Sequence, residues 1–186
     1  VSVTVARNGG SLLAAFADDG PEDTGGKVGA TLWWLGTDSK VGSGSATANS
    51  RWENPLKVCS HMAGVLPEWQ GKRIGQQMKF AQREYVLQQG LTDRITWTFD
   101  PLFVPNAIFN MNRLGAICTT YYPNYYGEMR DGLNAGTPSD RCQVDWLLNS
   151  QRVVDAAKGQ PNPTDWAQTD LQQLPTEAVG KGFTAP

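Results

Sequence analysis

The residues best placed to do chemistry lie between Val65 and Gly75, which read Val-Leu-Pro-Glu-Trp-Gln-Gly-Lys-Arg-Ile-Gly. An apolar run from Leu56 to Val65 arrives as a strand. Pro67 stops it, because proline has no N–H to give a sheet ladder. Gln70, Gly71, Lys72, Arg73 and Gly75 follow in a short loop, and a helix leaves from about Ile74 to Gln89. The first N–H groups of a helix have no internal partner, and the helix dipole adds partial positive charge there. With Lys72 and Arg73 beside them, these amides make an anion site suited to a phosphorylated cofactor. Two glycines four apart also occur in ordinary strand-to-helix turns, and that reading stands beside the first. The loop lacks the Gly-Lys-Ser/Thr of a P-loop and the Gly-x-Gly-x-x-Gly of a dinucleotide site.

A second candidate sits on the incoming strand. Alternation puts Cys59, His61, Ala63 and Val65 on one face, with Ser60, Met62 and Gly64 on the other. His61 is the only histidine in the chain, and an unperturbed imidazole, with a pKa near ~6.5, suits general-base work. The competing reading is a core histidine satisfied by a hydrogen bond. Cys59, Cys118 and Cys142 are odd in number and widely spaced, so neither a disulfide framework nor a metal pattern fits. They read as buried thiols of a reducing compartment. Nothing beside them suggests an activated nucleophile.

The elements that must hold these groups follow from period and punctuation. Val1, Val3 and Val5 alternate with Ser2 and Thr4 as a short strand. Leu12 to Ala17 and Lys27 to Leu35 read as strands of an antiparallel hairpin. Gly36 to Ser50 is a Gly/Ser/Thr/Ala loop. The helix after the anion loop carries Ile74, Met78, Ala81 and Tyr85 on one stripe, and Gly90 closes it. Ile95, Trp97 and Phe99 alternate with threonines in a strand that Asp100-Pro101 ends. Asn106 to Leu114 reads as a second helix closed by Gly115. Ala116 to Tyr122 and Arg141 to Leu148 are the last strands. The fold class is α/β (α+β), a mixed, mostly antiparallel sheet flanked by helices, with one β-α-β crossover in the middle. Residues 1–150 form the domain and 151–186 a polar, proline-bearing extension.

Composition narrows the partners. The chain has 186 residues and a formal net charge of −2, against a general nucleic-acid binder. No apolar run approaches the ~20 residues that span a membrane, and no signal peptide is visible. The expectation is a cytoplasmic protein. The opening on strand-like sequence at Val1 is consistent with a piece of a longer protein.

The strand order, with an anion loop between the third strand and the first long helix, resembles the GCN5-related N-acetyltransferase (GNAT) superfamily. Its signature is Gln/Arg-x-x-Gly-x-Gly/Ala, and the matching run is Gln70-Gly71-Lys72-Arg73-Ile74-Gly75, with Arg73 in place of the middle Gly. The stretches His61-Met62-x-Gly64-Val65-Leu66-Pro67-Glu68, Ala81-Gln82-Arg83-Glu84, Thr96-Trp97-Thr98-Phe99-Asp100-Pro101-Leu102, Asn106-Ala107, Arg113-Leu114-Gly115-Ala116, Tyr125-Tyr126-Gly127 and Asp131-Gly132-Leu133-Asn134 are similar to a bacterial subfamily of predicted acetyltransferases. The resemblance covers about Leu56 to Leu148. The superfamily's usual first strand and first two helices are not seen ahead of Val1.

The resemblance implies an acyl-CoA co-substrate, acetyl-CoA by default, and a small amine or amino-acid-like acceptor that attacks the thioester directly. It implies no metal and allows a homodimer. The pantetheine arm would lie beside Gly64, Val65 and Leu66. The amides of Gln70, Gly71, Lys72, Arg73, Ile74, Gly75 and Gln76 would hold the pyrophosphate. Asn106 and Asn110 sit where the second helix often contacts the arm, Asn106 being equally readable as a helix N-cap. The superfamily's usual acid, a Tyr four residues before the closing Gly, is Met111 here. Tyr125 and Tyr126 are the substitutes, with rim packing as their other reading. In many members a carboxylate on the third strand serves as the base, directly or through water; Cys59 and His61 share the face on which such a group would lie, and His61 takes that role. Glu128 and Asp100 are alternatives, Asp100 also being readable as the cap of the turn into Pro101. A non-catalytic acyl-CoA-binding module is the alternative function.

Overall fold

The computed structural model describes residues 2–38, 54–127 and 139–160. One six-stranded sheet organises them, with strands β1 (Ser11–Phe16), β2 (Lys27–Thr37), β3 (Leu56–Val65), β4 (Arg94–Phe99), β5 (Ile117–Tyr122) and β6 (Arg141–Leu147). Their spatial order is β1-β2-β3-β4-β6-β5. Every neighbouring pair is antiparallel except β3–β4. The crossover between those two is α2 (Ile74–Gln89), as a parallel pair requires. The bounds of β3 and α2 are those the sequence predicts. Thr37 ends β2 two residues beyond Leu35, and most of the loop expected over 36–50 lies outside the described residues.

Trp33, Val58, Val86, Ile95, Leu114, Val144, Trp146, Leu148 and Val153 pack as one core. Trp146 is its largest fully buried side chain: its indole N–H donates to the Leu114 carbonyl at 2.8 Å, while Phe80 and Trp97 lie against its ring. Burial of such rings is the main stabilising term of a domain this size.

Four expectations need correction. The segment at Val1–Val5 is not a strand: α1 spans Ser2–Arg7. A five-residue run of alternating valines also places residues four apart on one helix face, so period alone cannot choose. Asn8 decides locally, its Nδ2 capping the helix by donating to the Thr4 carbonyl at 2.7 Å. Second, residues 151–160 are not an extension apart from the domain. Helix α4 (Gln151–Ala157) buries Val153 and Ala156, and a Cβ on Gly115, whose φ is +70°, would meet the Arg152 carbonyl oxygen at 2.6 Å. The rest of that extension, 161–186, lies outside the described residues. Third, the stripe of α2 is rotated: Met78, Lys79, Gln82 and Val86 are the buried residues, while Ala81 and Tyr85 are exposed. Fourth, Cys118 is exposed, with Cys59 and Cys142 half-buried. Burial pushes the Cys142 thiol up to about 11, with neighbouring Cys118 adding to the shift, which makes it a poor nucleophile.

The expected second helix is short and irregular. Helix α3 covers Val104–Ile108 and runs into a π-turn over Phe109–Arg113. The Leu114 N–H reaches back five residues to the Phe109 carbonyl at 3.0 Å. Such turns open a helix locally and recur at functional sites.

Candidate active site

The site is built by the way β3 and β4 part. Their parallel ladder has two registers, Val58 with Ile95 and Cys59 with Thr96. From Ser60 on one strand and Trp97 on the other, each goes on without the other. Strand β3 continues along β2 to Val65, and β4 continues along β6 to Phe99. A wedge-shaped cleft results, with its apex at Ser60 and Trp97 and its mouth at the anion loop. Among the described residues one edge of β3 inside it has no strand partner, so its backbone from Ser60 to Val65 is open for β-type pairing except at the Val65 carbonyl, which a side chain of the loop takes.

A bulge adjusts that edge. Trp33 lies across from Ser60 and Leu32 across from Met62, so His61 is the extra residue on β3. Bulges re-aim side chains, often beside active sites. This one overturns the expected faces. Ser60, Ala63 and Val65 share the side of Trp33, Thr31 and Gly29, against α2, where Gly29 adjoins Met78. Cys59 and Met62 share the other side with Trp34 and Leu32. Strict alternation puts Cys59 with Ala63, and the extra residue separates them. His61 itself is exposed rather than packed in the core, and its ring rests on Trp34 with centroids 4.9 Å apart.

The mouth of the cleft is the loop. Pro67–Trp69 make one 3-10 turn. Gln70 folds back, its Nε2 donating to the Val65 carbonyl at 3.2 Å, which pins the loop to the strand end. Lys72 holds its ammonium 3.8 Å above the Trp69 ring, a cation–π contact that keeps the charge at the loop. Gly71 and Arg73 have φ of +78° and +63°. The second value explains the resemblance's middle glycine: this backbone position is left-handed, which glycine adopts freely and Arg73 at a cost of about 1–2 kcal/mol. Arg73 is also the N-cap residue of α2 and supplies no side-chain cap, so the first-turn amides of Ile74, Gly75 and Gln76 stay unclaimed by the helix. A Cβ on Gly75 would meet Val65 Cγ2 at 3.8 Å and Phe109 Cζ at 3.9 Å, ordinary contacts that also seat the π-turn beside the loop. Gln76 Nε2 reaches the Arg113 carbonyl at 3.5 Å.

The remaining expected residues divide. Gly64 is open, with nothing within 4 Å of an added Cβ. Leu66 gives its N–H to the Val28 carbonyl at 2.9 Å. Asn110 is buried in the π-turn. Asn106 is exposed inside α3, and Phe103 holds the N-cap position, so the cap reading fails. Met111 packs against the hydrophobic core. Asp100 accepts the Leu102 N–H at 2.9 Å and so fixes the turn into α3. Tyr126 is exposed, with its N–H on Ser139 Oγ at 2.9 Å, its ring 4.8 Å from that of Tyr125, and the Arg141 guanidinium 5.1 Å away. The end of β5 pairs with the start of β6, which pairs with the end of β4. Tyr125 and Tyr126 therefore stand at the cleft's end of the sheet, two strands over from β4. Among the described residues no hydrogen bond or ring contact joins Tyr126 to His61. Glu128 and residues 131–134 lie outside the described residues.

One residue escaped the sequence reading. Lys79 projects from α2 to the apex of the cleft, its Nζ 3.1 Å from Ser60 Oγ, 2.9 Å from Gln82 Oε1 and 3.8 Å from the centre of the Trp97 ring. It is only 4% exposed, and burial pulls its ammonium down to about 7.

No family model matches the sequence, and no curated protein matches it. Solved structures do resemble the fold. Arabidopsis thaliana NAA60, in complex with acetyl-CoA, aligns with a TM-score of 0.54 at 13% identity over 72% of this chain and 74% of that one. The ribosomal-protein-S18-alanine N-acetyltransferase of Escherichia coli aligns at 0.52 and 13% over 80% and 77%. A candidate acetyltransferase of the GNAT family from Desulfovibrio desulfuricans aligns at 0.52 and 14% over 77% and 71%. With one parallel pair among the described strands, parting beside a helix N-terminus, this chain has the fold of the GNAT N-acetyltransferases.

Proposed function

We propose that the chain is an acyl-CoA-dependent N-acyltransferase acting on the amine of a small molecule or amino-acid-like acceptor. The observation that carries this is the open edge of β3, from Ser60 to Val65, leading from the amides at the start of α2 into the β3–β4 cleft. Phosphates suit the loop, where Lys72 and Arg73 immediately precede the first amides of α2. An amide-bearing arm suits the edge, where it pairs as a strand would. Asn110, buried in the adjoining π-turn, is the polar group proposed to face the arm from the other wall, and Asn106 lies one turn earlier.

In the reaction the acceptor nitrogen attacks the thioester carbonyl. A C–N bond forms, the C–S bond breaks, the nitrogen loses a proton and the thiolate gains one. His61, the extra residue of the bulge, is the proposed base. Tyr126 is the proposed acid, since Met111 has no proton to give. Asp100 is committed to its turn. We place the working protein in the cytoplasm, with the homodimer and acceptor open to direct assay.

The same Met111 favours a second reading, a binding module that holds the thioester without turning it over. Calorimetric titration with CoA and acetyl-CoA tests the common part. The informative variant is Gly75→Glu: a carboxylate in the first turn suits the helix dipole but repels a pyrophosphate. Binding by the parent and its loss in this folded variant is the expected result. No binding by the parent would sink both readings. Free CoA released on adding an amine library separates enzyme from binding module.

A further inference from the structure

We propose that Lys79 and Gln82 form a carboxylate subsite at the apex of the β3–β4 cleft, selecting a thioester whose acyl chain ends in a carboxylate. This rests on the acyl-CoA reading above. An ammonium has three N–H donors; Lys79 directs two of them at Ser60 Oγ and Gln82 Oε1. Among the described residues it makes no ion pair, and the Trp97 and Trp146 rings, 3.8 and 5.5 Å away, are what face its charge. Gln82 is fully buried, and its Nε2 has no hydrogen-bond partner. Two buried donor groups, joined by their own hydrogen bond, therefore lack an acceptor. Buried cations are held by opposite charge and buried donors by acceptors. A carboxylate meets both needs with its two oxygens. A thioester carbonyl would satisfy one donor and leave the charge.

The position fits an acyl terminus. Ser60 and Trp97 are the first residues past the last β3–β4 pair. The open edge from Ser60 to Val65 is ~17 Å long at about 3.3 Å per residue, with the phosphate-binding loop at its far end. A thioester anchored there runs its acyl group toward Lys79.

The test compares CoA, butyryl-CoA and succinyl-CoA by calorimetry in the full chain; the two thioesters match in carbon count and differ by the terminal carboxylate. The parent is expected to bind succinyl-CoA at least about ten-fold tighter than butyryl-CoA. Lys79→Met should abolish the preference while CoA itself binds as before, and Gln82→Leu should reduce it. Equal affinities in the parent, or a preference that survives in Lys79→Met, would overturn the subsite. Should Lys79→Met fail to fold, Lys79→Gln makes the same comparison. CoA bound without preference refutes only this inference, whereas no CoA binding at all refutes the function it rests on.

Discussion

The two ends of the β3–β4 pair carry buried cations in opposite circumstances. At the closed end, Arg94 is only 3% exposed. Its Nη2 lies 2.5 Å from Asp38 Oδ2 and its Nη1 3.4 Å from Asp145 Oδ1. Lys57 reaches the other oxygen of Asp38 at 3.0 Å, and the Thr119 hydroxyl donates to Asp145. At the parted end, Lys79 is as deeply buried, with a serine, an amide and an indole face instead of a carboxylate. The planar, always-charged guanidinium suits a fixed network. The lysine, whose charge burial disfavours, suits a place where a partner arrives. Closed charge holds the strands together; open charge lies where they separate.

That contrast can be broken most severely at Arg94. Arg94→Ala leaves Asp145, 1% exposed, buried without its cation. Breaking such a pair typically costs 3–5 kcal/mol, so urea denaturation should show a loss of about that size. Thioester binding per folded molecule should be unchanged.

Lys79 should make stability depend on pH. Burial holds its folded pKa at about 7, below the ordinary lysine value of 10.5. The folded state thus releases its proton first, and the unfolded chain binds more protons between those values. Stability contributed by this group rises with pH across that window. At about 1.4 kcal/mol per unit, denaturation at pH 7 and pH 9 should differ by roughly 2–3 kcal/mol in the parent. Lys79→Met should flatten the difference and gain stability at pH 7. A parent with no slope would show that Lys79 keeps its ordinary affinity for a proton.

Arg73→Gly is a finer probe. Releasing a left-handed arginine should stabilise the fold by about 1 kcal/mol while weakening CoA binding through the lost charge, read by melting and by calorimetry on one sample. An effect of similar size, confined to one pH range, belongs to Asp38. Burial works against its charge, but hydrogen bonds and attraction from Arg94 and Lys57 outweigh it and hold the carboxyl below 3.8. Its contribution is present above the unfolded value and lost as pH falls through the lower folded one. Asp38→Asn should cost about 1 kcal/mol at pH 7 and nothing once both states are protonated.

Much of the scaffold was legible because its signals were local. The apolar run before Pro67 and the helix closed by Gly90 gave the bounds of β3 and α2, and the loop between them was legible from Lys72, Arg73 and its glycines. What hid was what depends on the partner across the space. The bulge at His61 arises from register with β2, which a strict period of two cannot show. Lys79 and Gln82 are polar, so a rule that ranks helix faces by apolarity assigned them to solvent and chose Ala81 and Tyr85 instead. The one available signal was spacing: Met78, Gln82 and Val86 repeat every four residues, and Lys79 adjoins them. Helix α4 hid for a similar reason, since its apolar residues are few and small, and the burial of Val153 and Ala156 depends on the partner across the space, with Gly115 packed against the helix backbone at Arg152.

The central claim, that a CoA thioester lies along the open edge of β3, is tested most directly by amide hydrogen exchange with and without acetyl-CoA. The account predicts added protection confined to Ser60–Leu66 and Gln70–Gln77, with β1 and β5 unchanged. Protection absent from those segments, or appearing elsewhere in the sheet while the thioester is bound, would contradict it.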